Sequence, residues 1–131
     1  MMKGSIKLSV VFKAKPSEIY EAWLDSSKHS EMTGGKATCS KNIGGPFTAW
    51  DGYIEGMNIA MEPNKEIIQS WRTSEFLDSD EDSTLHIQLE EMEIGTELTL
   101  IHTNIPEGQT QYEKGWQDHY FSPMKKYFDK G

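Results

Sequence analysis

The stretch "EKGWQDHYFSPM", Glu113 to Met124, has the spacing of a helix and contains two residues that helices reject. Tyr112, Trp116, Tyr120 and Tyr127 recur at helical intervals, with Gly115, His119, Pro123 and Met124 on or beside the same stripe. Gly costs about 1 kcal/mol relative to Ala inside a helix, and Pro about 3 kcal/mol or more. An apolar stripe of this length needs a surface to cover. The spacing predicts a helix from Thr110 to about Phe128, and the fold turns on what lies beneath it.

Upstream, the dominant period is two. Ile6, Leu8, Val10 and Phe12 alternate with Lys7, Ser9 and Val11, the pattern of a half-buried strand. Pro16 and Ser17 then start a short helix whose apolar face is Ile19, Tyr20, Trp23 and Leu24, and further turns are expected before Gly34 and Gly35. Thr38 to Ile43 reads as a strand, "GGPF" as a turn, and "FTAWDGYIEGMNIAM" as a hairpin about Asp51-Gly52. Tyr53, Met57, Ile59 and Met61 are read as one face of its second strand. Three strands follow, "EIIQSWRTS", "STLHIQLEEME" and "TELTLIHTNI", with Leu85, Ile87 and Leu89, then Leu98, Leu100 and His102, as inward positions. Helices set apart from sequential hairpins predict an α+β fold: a curved antiparallel sheet of six or seven strands, with one or two short helices after the first strand. The natural place of the final helix is across the concave face.

The 131 residues suit a single domain spanning 1–131. Thirteen Lys and Arg stand against twenty-one Asp and Glu, a formal charge of -8, and Arg72 is the only arginine. Nucleic acid is therefore not an expected partner, since binding it depends on clustered cations. Cys39 is the only cysteine and calls for no oxidising compartment. No apolar run has the length of a membrane span and the N-terminal residues lack a signal-peptide core, so no membrane contact and a cytoplasmic location are expected.

In order along the chain, "KPSEIYEAWLD", "GGPF" with "WDGYIEG", "EPNKEIIQSWR", "STLHIQLEE", "GTELTLIHTNIP" and "YEKGWQDHYFSPMKKYF" resemble the family named for activators of the heat-shock protein 90 ATPase, the AHSA-type domain of the START-like, helix-grip (SRPBCC) superfamily. The resemblance covers nearly the whole chain. It implies a sheet gripping the C-terminal helix around a cavity that in several related families holds a lipid, hormone or polyketide, and it implies no single activity. In the eukaryotic activators this domain accompanies a separate N-terminal domain, for which a chain of this length has no room. Within such a fold Gly115 is expected to let the helix approach the sheet closely beside Trp116, or to be simply a poor helix residue near the first turn. Pro123, where the family more often has a helix former, is expected to bend the far half of the helix along the sheet.

Chemical motifs are few. No two of His29, His86, His102 and His119 have zinc-site spacing, and no metal or cofactor is expected. There is no "GxSxG" elbow, and "GGPF" lacks the Lys and Ser or Thr of a phosphate loop. "DSDEDS" from Asp78 opens like a calcium loop but places Ser83 where glycine is required and Leu89 where a bidentate Glu belongs, so it reads as a solvated acidic turn. The aromatics remain, as packed core or as pocket lining. The reading that follows is a non-enzymatic module whose cavity takes a small hydrophobic ligand, with Trp71, His102, Trp116, Tyr120, Trp50 and Trp23 as candidate ligand-binding residues. The alternative is a co-chaperone-like protein that regulates a heat-shock protein 90 ATPase through its surface. An enzymatic reading rests on pocket histidines alone, and the oligomeric state is left open.

Overall fold

The computed structural model describes residues 4–129. Strand β1 (Gly4–Phe12) leads into helices α1 (Pro16–Leu24) and α2 (Ser26–Thr33). Strands β2 (Thr38–Cys39), β3 (Pro46–Ala49), β4 (Ile54–Glu62), β5 (Glu66–Thr73), β6 (Ser83–Met92) and β7 (Gly95–Ile105) follow. The C-terminal helix has three parts: an α-helical turn Tyr112–Trp116, a π-helical turn Gln117–Phe121 and an α-helix Ser122–Asp129. It begins two residues later than the spacing predicts, within ordinary end variation.

The seven strands form one antiparallel sheet in the order β1-β7-β6-β5-β4-β3-β2, so each strand from β2 to β7 lies beside its sequence neighbour and β1 closes against β7. Register brings the apolar positions into rows that cross the sheet. Leu8, Leu100, Ile87 and Ile67 make one such row, and Val10, Leu98 and Leu89 another. The next row is partly polar: Ile6, His102, Leu85, Gln69 and Asn58. Helices α1 and α2 and the C-terminal helix cover this face with Ile19, Trp23, Leu24, Met32, Trp116, Tyr120 and Met124, all buried.

Local chemistry sets the helix boundaries. Pro16 occupies the first position of α1, where its missing N–H costs nothing, and the Lys15 N–H donates to Glu18 Oε1 at 3.0 Å. Asp25 caps α2 by accepting from the Lys28 N–H at 2.9 Å, and Gly34, at φ 85°, ends it. In the C-terminal helix the Pro123 ring excludes an α-type bond to the carbonyl of His119. The preceding turn widens, and the Ser122 N–H reaches Gln117 O, five residues back. The chain thus meets Pro123 with a π turn.

Two strand readings are corrected. The strand expected from Thr38 to Ile43 stops at Cys39, because the carbonyls of Ser40 and Asn42 are bonded by the Asn58 amide, at 2.8 and 3.0 Å, in place of a neighbouring strand. The β4 face is also reversed at Met57 and Ile59, whereas Tyr53 and Met61 are partly buried against the core. Met57 and Ile59 are 50% and 51% exposed, whereas Ile54 and Asn58 are buried. Gly56 shares the inner face, since a Cβ there would lie 1.9 Å from Ser70 O and 2.7 Å from the Phe47 ring. Beyond Asn58 a bulge shifts the register with β5. Alternation of apolar residues picked the solvent face because the inner one is held by a buried amide chain. Trp23 Nε1–H donates to Gln69 Oε1 (3.2 Å), and Gln69 Nε2–H donates to Asn58 Oδ1 (2.8 Å).

Asn58→Leu is therefore expected to destabilise by about 2 to 4 kcal/mol, because it strands the Gln69 amide and two loop carbonyls, while Met57→Gln stays within about 0.5 kcal/mol. Urea unfolding of the two variants checks this, and equal midpoints would remove the amide chain from the account of β4.

Candidate functional site: an aromatic cavity under the C-terminal helix

A cavity of about 630 Å³ lies between the first half of the C-terminal helix, the β3–β4 turn and β5. Its inner wall is Trp71, Trp116, Tyr120 and Ile54, all buried. Trp50, Tyr53 and Tyr112 stand around these, and the exposed residues Thr110, Gln111, Lys114, Asp118 and His119 form the rim. The size is within the usual range for small-molecule sites, roughly 300–1,000 Å³.

Of the six residues expected to meet a ligand, Trp71, Trp116, Tyr120 and Trp50 line the cavity, and His102 and Trp23 do not. Both lie one layer behind it. His102 has no exposed surface and is the centre of a complete hydrogen-bond chain. Trp116 Nε1–H donates to His102 Nδ1 at 3.1 Å, so the imidazole proton sits on Nε2, which donates to Ser83 Oγ at 2.8 Å. The Ser83 hydroxyl donates in turn to Trp71 O at 2.6 Å. Trp23 packs against the rings of Trp116 and Tyr120, at centroid distances of 6.5 and 5.2 Å.

A second chain supports the other end of the inner wall. His29 Nδ1–H donates to Trp23 O at 2.8 Å, and the Tyr120 hydroxyl donates to His29 Nε2 at 2.9 Å. Cys39 Sγ lies 3.7 Å from His29 Nδ1, but that nitrogen is committed to a carbonyl and burial pushes the thiol up to about 11. The pair is no activated nucleophile, since it would need a thiolate and a free base. Burial also raises Tyr120, Tyr53 and Tyr112 and lowers both His29 and His102, the latter to about 3. Each of these groups is thus held in its neutral form.

At the mouth, the Tyr53 hydroxyl donates to Glu75, Thr73 Oγ1 bonds the Tyr112 hydroxyl at 2.7 Å, and Tyr112 donates to Gln109 at 2.6 Å. Lys114 and Asp118 pair with each other at 2.9 Å, so the rim carries little net charge. The sequence places Tyr112 on the helix stripe and Tyr53 on a strand face without assigning either to the cavity, because periodicity gives a face and not what that face borders, and the rim residues lie off both patterns.

Trp50 is the least ordinary wall residue. It opens a run of left-handed backbone, Trp50, Asp51 and Gly52 at φ 51°, 59° and 90°. Asp51-Gly52 suits such a turn, whereas a bulky residue at positive φ is strained. Its ring lies on Gly35, where a Cβ would come within 2.4 Å, and meets His119 edge to face at 5.4 Å. Its indole N–H is the one buried side-chain polar atom without a hydrogen-bond partner among the described residues. Gly115 departs from one of its two expected roles. A Cβ there would meet nothing within 4 Å, so the glycine marks no close approach of helix to sheet.

A sequence model described as Activator of Hsp90 ATPase homolog 1-like protein matches residues 13–129. The chain belongs to that family. Among curated relatives, it is 25% identical over 126 residues to an activator of 90 kDa heat shock protein ATPase homolog of Dictyostelium discoideum, covering 95% of this chain and 33% of the relative. It is 27% identical over 127 residues to activator homolog 1 of Homo sapiens, covering 96% and 37%. The chain therefore spans about a third of the length of these relatives. An HSP90 activator from Plasmodium falciparum has the same fold, with a TM-score of 0.84 at 22% identity over 98% of this chain and 97% of that one. The helix-grip architecture of the family is thus the architecture found here. No helix of the described residues is long and apolar enough to cross a membrane.

The two buried histidines give this Activator of Hsp90 ATPase homolog 1-like domain an expected acid sensitivity. Their folded pKa values lie below the unfolded value near 6.5, so the stability they contribute is full above pH 6.5 and is lost as pH falls. For His102 the loss continues down to about 3, at about 1.4 kcal/mol per pH unit. His29 adds a loss of the same sign. Urea midpoints measured between pH 7 and pH 5 should fall, and a flat profile would contradict the neutral, buried placement of both rings.

Proposed function

We propose that this domain binds a small hydrophobic ligand in the cavity between sheet and C-terminal helix and does no chemistry on it. The observation that carries this reading is the aromatic cavity itself. Ligand apolar surface removed from water contributes roughly 25 cal/mol per Å². Ring faces of Trp71, Trp116 and Tyr120 supply the surface, and Tyr53, Thr110 and Gln111 at the mouth offer one or two polar anchors. The neutral state of the buried histidines, tyrosines and Cys39 favours binding over catalysis, since none is poised to move a proton near neutral pH.

Native mass spectrometry of the protein purified from its own cells is the direct experiment, and an apolar molecule retained in the folded ion is the expected result. Titration with apolar aromatic probes, followed by tryptophan emission, should show saturable binding. A spectrum that no apolar compound perturbs would overturn this reading.

A second reading, contact with a heat-shock protein 90 ATPase, is favoured by the names of the relatives and by the exposed Met57 and Ile59 on the outer face of β4. Exposed apolar residues grouped on a sheet face suit a protein partner. The chain alone is expected not to accelerate the chaperone, given its formal charge of -8 and its single arginine. Phosphate release from purified chaperone with and without the chain tests this, and a several-fold rise would place the chaperone reading first.

A further inference from the structure

Most glycines in this fold have visible reasons, the exceptions among the described residues being Gly4, at the exposed start of β1, and Gly115. At Gly35 a Cβ would strike the Trp50 ring, at Gly56 it would strike the backbone of Ser70, and Gly34, Gly44, Gly52 and Gly108 adopt positive φ. Gly115 has neither reason. It lies inside a helical turn, its N–H donates to Gln111 O at 3.1 Å, its φ is not positive, and an added Cβ would meet no atom within 4 Å beyond its chain neighbours and its own helix backbone. Glycine is among the worst helix residues, and here no close packing or special backbone asks for it. What distinguishes the position is that it lines the cavity, on the same helix turn as Trp116.

We propose that Gly115 is a specificity-determining position of the cavity: its missing side chain leaves a flat strip of helix backbone against which a planar, fused-ring ligand lies. This rests on the ligand-binding reading above and deepens it. The planar class follows from the walls. Trp50, Tyr53, Trp71, Tyr112, Trp116 and Tyr120 bring six aromatic rings to the cavity. A ring system gains stacked or edge-to-face contacts on such walls beyond the area it buries, and a flexible acyl chain does not. A planar ligand also has few torsions, and none within its fused rings, with which to avoid a new methyl group, whereas an acyl chain bends around one.

The test compares the parent protein with Gly115→Ala and Gly115→Leu, using flavone as the planar probe and decanoate as the flexible one, each titrated by tryptophan emission. Urea unfolding is measured alongside. Both variants are expected to be at least as stable as the parent, because a better helix former enters open space. Flavone affinity should fall about fivefold in the Ala variant and more than fiftyfold in the Leu variant, while decanoate changes by less than about twofold. Stability that rises while one class of ligand is lost is a signature that a purely structural glycine does not give. Unchanged flavone affinity in the Leu variant would overturn the role of Gly115 with the cavity reading intact. Equal losses for flavone and decanoate would overturn the planar class, and a destabilised Ala variant would show that the space is not open. A parent protein that binds neither probe would bring down the cavity reading and this proposal together.

Discussion

The hydrogen bond from Trp116 to His102 joins the C-terminal helix to the sheet, and much of the interior is arranged around it. Trp116 is a donor only, so its bond fixes the His102 tautomer, which fixes the Ser83 hydroxyl, which ends on the Trp71 carbonyl. One side chain on the helix thereby reaches β7, β6 and β5 in three steps. A buried polar chain of this kind is costly if any member is lost, and it specifies one docking of the helix where apolar packing alone would allow several. The rings of Trp71 and Trp116 are held by the same chain, so the cavity wall they form is fixed from behind.

A parallel constraint runs through the other helices. Trp23 on α1 donates to Gln69, which donates to Asn58, which satisfies the loop between β2 and β3. His29 on α2 joins Trp23 O to the Tyr120 hydroxyl. The sheet face under the helices is therefore apolar along the Leu100 and Leu98 rows and polar along the His102 row. Gln69 and Asn58 of the amide chain and His102 of the imidazole chain share that polar row.

This division explains how far the sequence could be read. Strands β1, β6 and β7 alternate cleanly because their inward positions are Leu8, Leu85, Ile87, Leu98 and Leu100, and burial selects for that period. The helix stripe was equally clear from Tyr112, Trp116 and Tyr120. On β4 the same rule failed, since the inward residue is Asn58 and the outward ones are Met57 and Ile59. A buried amide whose partners are distant loop carbonyls leaves no local signal. His102 was legible as inward but not as a residue behind the wall, because period two gives the face of the sheet and not the depth of the layer. For Gly115 the sequence leaves two readings, a close approach or a poor helix residue near the first turn, and only the first is excluded, since a sequence cannot distinguish a glycine that something touches from one beside empty space.

The π turn connects the two halves of the C-terminal helix. Within an α-helix, adjacent residues point about 100° apart, so Tyr120 and Phe121 could not each continue a buried stripe. The wider turn over Gln117–Phe121 rephases the helix by an extra residue. Tyr120 closes the stripe begun by Tyr112 and Trp116, facing Trp23 and His29 at 5.2 and 5.6 Å. Phe121 opens a second one, meeting Phe12 at 6.5 Å, and Phe128 meets the same ring at 5.7 Å. The far half is thus packed on β1 while the near half borders open space. Pro123 enforces the widening, Gly115 lies about two turns before Pro123 on the hollow side, and the strained Trp50 forms part of the opposing wall. Residues that break local rules are expected where a fold is shaped by something other than its own stability. Gly115 and Trp50 do so at the cavity, whereas Pro123 does so from the packed end of the same helix, beside the fully buried Met124, where it sets the turn that carries Asp118, His119 and Tyr120 to the cavity.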